Sequence, residues 1–496
     1  MSGDGVAAAA SWATWTAGLL LALDALIRVG LSVRVVTRRW TVSTTLSWLV
    51  LVLALPFAGA VLYLLVGENR LGRARVKDHA DRPTAAPPPT EPPALPRRHA
   101  AVAQHAQAAF GVALRPDNRL ELLDHTQAPL ARIVADIDGA RHACDLEFYI
   151  WFAGGEADAV ADALRRAASR GVRCRVLLDA VGSRGFLRSP AAGRLRDAGV
   201  RVVACLPAGP LRALFRRIDL RNHRKLVVVD ATAAWTGSLN MIDPRYFKRN
   251  AGVGEWVDAM VRVEGPAVAD LGAVFENDWR QEAGDEGPPP PDAASPSAPP
   301  PPTAATPADP PAPAGSRLQV IDSGPSRPAA SIQRLLLTAI YTARERVTVT
   351  TPYFVPDESL LIALTTAATR GVAVTVIVPG RSDSRLARLA SQAYYDELLA
   401  AGVRIARYRA GLLHTKSVVI DDGFSAFGTV NLDMRSFYLN FELTLLVYDR
   451  GFADRLGTLQ ARYLEKSDPV DADAWRERGH LAHLLDQTVR LLGPVL

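Results

Sequence analysis

Cysteine is scarce in this chain: three in 496 residues, at Cys144, Cys174 and Cys205. An odd number, set in or beside apolar segments, argues against a disulfide framework and for buried thiols in a reducing compartment. There is no C-x-x-C and no His-rich cluster, so nothing calls for a structural metal. Also missing is a dense Lys/Arg run with interleaved aromatics, the footprint of a nucleic-acid binder. The formal net charge of +6 suits an anionic partner but does not separate nucleic acid from acidic lipid.

What is present is a duplicated triplet. His223, Lys225 and Asp230 recur in order and spacing as His414, Lys416 and Asp421, each set reading H-x-K-x4-D. Beyond the Asp the chain runs Gly-Ser-Leu-Asn (Gly237 to Asn240) or Gly-Thr-Val-Asn (Gly428 to Asn431). Each copy follows or contains a Val/Ile/Leu run, where charge is costly without a purpose. Imidazole beside ammonium suits a phosphodiester: the lysine neutralises phosphoryl oxygens, and the histidine attacks phosphorus or carries a proton.

The duplication reaches further. Ala163-Leu164 through Arg170-Gly171-Val172 matches Ala363-Leu364 through Arg370-Gly371-Val372, and Ala198 to Arg201 matches Ala401 to Arg404. Each unit reads as a helix, a glycine stop and a fully apolar strand (Val176 to Leu178, Val374 to Val378), predicting αβ units on a buried sheet. Two halves of one active site are expected.

Before the first copy lie two apolar stretches, Ala7 to Val36 and Leu46 to Val66. Each is long enough for a crossing of about 20 residues. Asp24 and Arg28 interrupt the first, one turn apart on one face, where they can pair. Pro56 would kink the second, which Trp48 and Tyr63 flank as interface aromatics. With no basic start, a signal peptide fits less well than a two-span hairpin. Arg34, Arg38 and Arg39 stand in the turn, and Arg70, Arg73, Arg75 and Lys77 at the exit, so positive-inside counting leans toward a cytoplasmic catalytic region. Arg82 to Arg98 and Gly287 to Gly315 are Pro/Ala-rich and read as a spacer and a looped-out insert. The expected organisation is hairpin 1–70, linker 71–100, first lobe 101–284, insert 285–315 and second lobe 316–496. Leu481 to Leu496 is amphipathic and suits either the membrane interface or the soluble core.

On these motifs the chain resembles the phospholipase D superfamily, and within it the two-span bacterial cardiolipin synthases. Thr351-Pro-Tyr-Phe-Val-Pro-Asp-Glu-Ser359, Leu412-Leu-His-Thr-Lys-Ser417, Gly428 to Phe437, Leu439 to Glu442, Gly237 to Lys248 and Glu255-Trp-Val-Asp258 carry the likeness. The Pro-rich inserts and the Gly-Thr turn of the second motif depart from it.

The resemblance implies a fold of two pseudo-symmetric α/β/α lobes sharing one active site, preceded by a transmembrane hairpin in the bacterial cell membrane. It implies that two phosphatidylglycerols give cardiolipin and glycerol through a phosphatidyl-histidine, with other anionic phospholipids as possible partners, no nucleic acid and no cofactor. His223 is then the nucleophile and His414 the general acid/base. Lys225 and Lys416 clamp the phosphoryl oxygens, and Ser238, Asn240, Thr429 and Asn431 add hydrogen bonds. A carboxylate after each motif, Asp258 or Glu442, orients its histidine. Asp230 and Asp421, counted with the catalytic set, sit where they organise local structure. Tyr353 and Phe354 suit a lipid entrance or the core, and Arg435 a headgroup or an ion pair. The alternative activity is phospholipase D-type hydrolysis, which differs only in which hydroxyl reaches the phospho-histidine. A catalytically dead scaffold fits poorly, because both His/Lys pairs are intact.

Overall fold

The computed structural model describes residues 3–38, 42–55, 57–68, 70, 95–124, 127–207, 209, 217–247, 252–284, 315–327 and 331–490. Arg39, Pro56, Arg73, Arg75, Lys77, the Pro-rich stretches at 82–94 and 287–314, Leu491 and Leu492 lie outside these residues. The chain divides into two compact units, Met1–Arg73 with Ala208–Asp219, and Ala74–Pro207 with Leu220–Leu496.

In the first unit, Val35 of helix Gly3–Thr37 and Val52 of helix Val42–Ala54 pack together with Tyr63. The second expected span is not one helix. It stops at Ala54, passes Phe57 at φ 49°, and resumes as Ala58–Leu62 and a π turn, Tyr63–Gly67. The first run's two charges attend the break. Asp24 and Arg28 pair at 2.6 Å; Asp24 Oδ1 accepts the Phe57 N–H, and the Arg28 guanidinium donates to the Leu53 carbonyl. They satisfy backbone groups that a broken helix leaves without partners. Among the described residues, no helix is long and apolar enough to cross a membrane. The two helices pack together, but the expected transmembrane hairpin is not shown. Arg34 and Arg38, counted above as loop charges, both bind the Glu68 carboxylate, at 2.6 and 2.9 Å.

The second unit holds both lobes. In the first, the sheet order is Arg201–Cys205, Arg173–Asp179, Ala143–Phe148, Lys225–Val229, Ala233–Gly237, Met260–Glu264 and Arg115–Leu123. In the second it is Ser467–Pro469, Arg404–Tyr408, Ala373–Pro379, Arg346–Thr350, Ser417–Ile420, Phe424–Gly428, Asn440–Val447 and Ser316–Ser323. Apart from the added Ser467–Pro469, the two orders correspond. Helices precede the parallel strands as predicted: Gly171 and Gly371, at φ 86° and 90°, end Glu156–Ser169 and Glu358–Thr369. Behind each, Val172 or Val372 donates back to Ala167 or Ala367 at 3.1 Å.

The lobes share one sheet. Arg115–Leu123 pairs antiparallel with Ser316–Ser323, so the edge strand of each half covers that of the other. One core runs through both lobes and carries helices Ala267–Ala283 and Arg450–Glu465; each lobe adds a core on its other face. Helix Arg97–Phe110 begins inside the segment expected to be linker, and its Val102, Ala106 and Phe110 enter the second lobe's core.

Candidate active site

The motif strands Lys225–Val229 and Ser417–Ile420 run antiparallel to Ala143–Phe148 and Arg346–Thr350, placing Lys225 opposite Phe148 and Ser417 opposite Thr350. Just before each motif the backbone crosses to the other lobe. Arg221–Asn222 pairs with Asn440–Phe441, and Leu412–Leu413 with Trp256–Val257. The His223 N–H donates to the Phe441 carbonyl at 2.9 Å, and that of His414 to Val257 at 2.8 Å.

This crossing decides which carboxylate meets which histidine. His223 Nδ1 lies 2.8 and 3.0 Å from the Glu442 oxygens, and His414 Nδ1 lies 2.7 Å from Asp258 Oδ1. The expectation that each carboxylate orients the histidine of its own motif is corrected: the pairing runs across the lobes. A carboxylate offers only lone pairs, so Nδ1 carries the proton and Nε2 keeps its lone pair for chemistry. The lysines are anchored alike, Lys225 Nζ on the His223 carbonyl at 2.8 Å and Lys416 Nζ on that of His414.

All six groups are buried. Burial pushes both imidazoles down to about 4, against the pull of their carboxylates. The charge of each lysine also reaches the histidine of the other lobe, Lys416 acting on His223 and Lys225 on His414. One electrostatic cluster therefore contains both motifs. Burial pushes Lys225 down to about 8 and holds Lys416 well below the usual lysine range. Burial works to raise Glu442 and Asp258, but for Glu442 the combined pull of His223, Lys225 and Thr429, and for Asp258 that of His414, Lys416 and Ser238, holds them below the usual range. At neutral pH the site thus offers two neutral imidazoles, two carboxylates and ammonium charge. That combination suits nucleophilic attack on an anionic phosphorus centre.

The turn hydroxyls do something other than expected. Ser238 Oγ donates to Asp258 at 2.6 Å, and Thr429 Oγ1 to Glu442 at 2.5 Å. Each also accepts a backbone N–H, from Ala259 at 3.0 Å or Leu443 at 2.8 Å. Both hydroxyls are spent on the carboxylates, and Thr serves as well as Ser. Glycine precedes each because the turn presses on a neighbouring strand: a Cβ at Gly237 would lie 2.4 Å from the Ala259 carbonyl, and one at Gly428 2.2 Å from that of Leu443. Asn240 accepts the Ile150 N–H at 3.2 Å, whereas the Asn431 side-chain oxygen is buried without a partner among the described residues.

Asp230 and Asp421 stand at the far ends of the motif strands, about five residues or ~16 Å from the lysines. At φ 51° and 49° they turn the chain. Asp230 accepts the N–H groups of Arg141, His142 and Ala143 at 2.8 Å, and Asp421 those of Arg344, Glu345 and Arg346 at 2.8–3.2 Å. Their place in the catalytic set is corrected to one in the fold.

Phe354 is core, while Tyr353 is half-buried and donates to Asp383 Oδ1 at 2.7 Å. Sequence reasoning missed two aromatics. The Tyr149 ring lies edge-on to His223 at 5.1 Å, with Lys225 Nζ 5.7 Å from its centre; Trp256 covers His414 at 4.4 Å. Tyr149 immediately follows the strand that ends opposite Lys225, and Trp256 is two residues from Asp258. Those positions were the available signals.

Comparison with known proteins agrees with this geometry. The family described as cardiolipin synthase, PLD-like domain, matches residues 133–279 and 336–462, and the phospholipase D-nuclease N-terminal family matches 26–68. Cardiolipin synthase A of Erwinia tasmaniensis is 43% identical over 486 residues, covering 95% of this chain and 96% of that protein. Those of Cronobacter sakazakii and Serratia proteamaculans are each 42% identical at the same coverage. The crystal structure of phosphatidylserine synthase from Haemophilus influenzae shares the fold, with a TM-score of 0.57 at 14% identity, covering 80% of this chain and 100% of that one.

Proposed function

The chain belongs to the PLD-like cardiolipin synthase family, and on that premise we propose how its two motifs carry out a phosphatidyl transfer: two phosphatidylglycerols give cardiolipin and glycerol. Nε2 of His223 attacks the phosphorus of the first lipid, while His414, which takes up a proton at Nε2 as the anionic phosphodiester binds, hands that proton to the departing glycerol oxygen and returns to the neutral ring. The phosphatidyl group then rests on His223. A headgroup hydroxyl of the second phosphatidylglycerol gives its proton back to His414 and attacks phosphorus, and the P–N bond breaks. Each step is an in-line displacement, and two easier barriers replace one.

Lys225 and Lys416 face the non-bridging oxygens, where negative charge is held in the transition state. Asn431 adds a hydrogen bond. Glu442 and Asp258 hold the rings in the required tautomer and support the positive charge each ring carries in turn.

Both substrates are membrane lipids, so the enzyme works at a bilayer surface. The paired apolar helices of the N-terminal unit are the segment that holds it there, with Trp12, Trp15, Leu19 and Leu21 exposed along the first. Arg70, Arg73, Arg75 and Lys77 at the exit outnumber Arg34, Arg38 and Arg39 in the turn, which favours a cytoplasmic catalytic region by a narrow margin.

The observation that carries this reading is the cross-lobe pairing of His223 with Glu442 and of His414 with Asp258. The test is product analysis: purified enzyme given labelled phosphatidylglycerol should release glycerol in step with cardiolipin. Phosphatidic acid as the main product would make it a hydrolase instead.

A further inference from the structure

The two histidine–carboxylate pairs are alike in backbone and unlike in side chain. Gly237 stands opposite Met260 and Gly428 opposite Thr444, so Asp258 and Glu442 hold corresponding places. Trp256 and Asn440, two residues before each carboxylate, correspond as well. The crossing strands agree: Trp256 pairs with Leu412 and Asn440 with Arg221, each partner two residues before a motif histidine.

Asn440 is buried, and its Nδ2 donates to Glu442 Oε1 at 3.2 Å. The same oxygen lies 3.0 Å from His223 Nδ1. A carboxylate only accepts, so it fixes which end of the amide faces it. With the Thr429 hydroxyl on Oε2, three donors share the Glu442 charge. Asp258 has two, His414 Nδ1 and the Ser238 hydroxyl, both on Oδ1. Its Oδ2 is buried without a partner among the described residues. Where the second lobe has this amide, the first has the Trp256 ring, 4.4 Å from that of His414.

These differences share one sign. Each donor on a carboxylate lowers its pull on the next proton. Glu442, with its additional donor, supports a cation on His223 less than Asp258 supports one on His414. An aromatic face attracts a cation, which again favours charge on His414. Burial pushes both rings to about 4 and does not choose between them, and the two lysines are anchored alike.

We propose that Asn440 and Trp256 allocate the one proton the reaction needs: it settles on Nε2 of His414 when a phosphate anion enters the site, and Nε2 of His223 keeps its lone pair. Asn440 is a positioning residue acting through Glu442, while Trp256 acts on the His414 ring. The reverse allocation would leave the nucleophile without a lone pair and the departing oxygen without a proton donor.

This inference rests on the proposed division of labour between the rings, which transfer and hydrolysis have in common. Nitrogen-15 spectra of the histidines, recorded on the full-length protein with inorganic phosphate, read the allocation. Wild type should show Nε2 protonated on His414 and not on His223. Asn440→Leu, and the smaller Asn440→Ala should the first not fold, should move the ratio of the two protonated forms toward His223 about tenfold, the size of one hydrogen bond to a charged group. Trp256→Leu should move it the same way, and kcat should fall with the share of correctly protonated enzyme. A wild-type proton on His223 or on neither ring, or a ratio that the Asn440 variants leave unmoved, would overturn the proposal. Phosphatidic acid as the main wild-type product would instead tell against the transferase reading and leave the proton ratio as measured.

Discussion

The Nδ1 atom of His223 is 2.8 Å from a carboxylate oxygen of Glu442, a residue in the other half of the chain. His414 and Asp258 repeat the arrangement in the opposite direction, at 2.7 Å. Neither lobe can form a complete histidine–carboxylate pair alone, so the active site exists only when the lobes are joined.

Glu442→Gln and Asp258→Asn put an amide that can donate where only acceptance fits, which favours the wrong tautomer. Each should lower kcat by a factor on the order of 10³–10⁴, as replacing an orienting carboxylate does elsewhere. Nitrogen-15 spectra of the histidines check the crossing: Glu442→Gln should move the His223 resonances and Asp258→Asn those of His414. The reverse pattern would contradict the structure.

Because Thr429 and Ser238 bond the carboxylates rather than substrate, losing either hydroxyl should act through kcat. Thr429→Val and Ser238→Ala are expected to lower kcat by roughly 10- to 100-fold with little change in KM, the cost of a hydrogen bond to a buried charge. Thr429→Ser should stay close to wild type in steady-state assays.

Activity should fall on the alkaline side as Lys225 loses its proton near pH 8, leaving the phosphoryl oxygens with less positive charge. Lys225→Arg, permanently charged, should lose that limb of the kcat/KM profile even if its maximum is lower. Stability has its own pH dependence. Folding holds His223 and His414 at about 4, below the ordinary 6.5, so the unfolded chain binds more protons between those values. Their contribution is complete above about pH 6.5 and is lost as pH falls through about 4. Melting temperature followed over that window should drop, and His414→Asn should flatten the drop.

Asp230→Ala removes an acceptor shared by three backbone N–H groups at a chain reversal. It is expected to cost about 2–3 kcal/mol of stability while leaving kcat of the folded protein within a few-fold. Denaturant titration beside kinetics at low temperature separates the two.

Much of this was legible in the sequence. Two H-x-K-x4-D copies, the Arg-Gly-Val stops before apolar strands and the paired Gly-hydroxyl turns gave the repeat, the parallel strands and the reacting side chains, because each follows from local spacing. The crossing of Glu442 and Asp258 was not legible. It depends on the short strands Arg221–Asn222 and Leu412–Leu413 leaving their own sheets, and two-residue pairings carry no periodicity. The Ser238 and Thr429 hydroxyls were assigned to phosphate for the same reason: their partners arrive only with the fold. The second apolar run reads as continuous in hydropathy, yet Asp24 and Arg28 receive a break in it at Phe57.

The most direct test is an experimental structure of the enzyme with vanadate, a mimic of phosphorus in displacement geometry. The account predicts one vanadium atom between Nε2 of His223 and Nε2 of His414, its equatorial oxygens facing Lys225 and Lys416. Vanadate held by one histidine with the other turned away, or two separate vanadates, would contradict it.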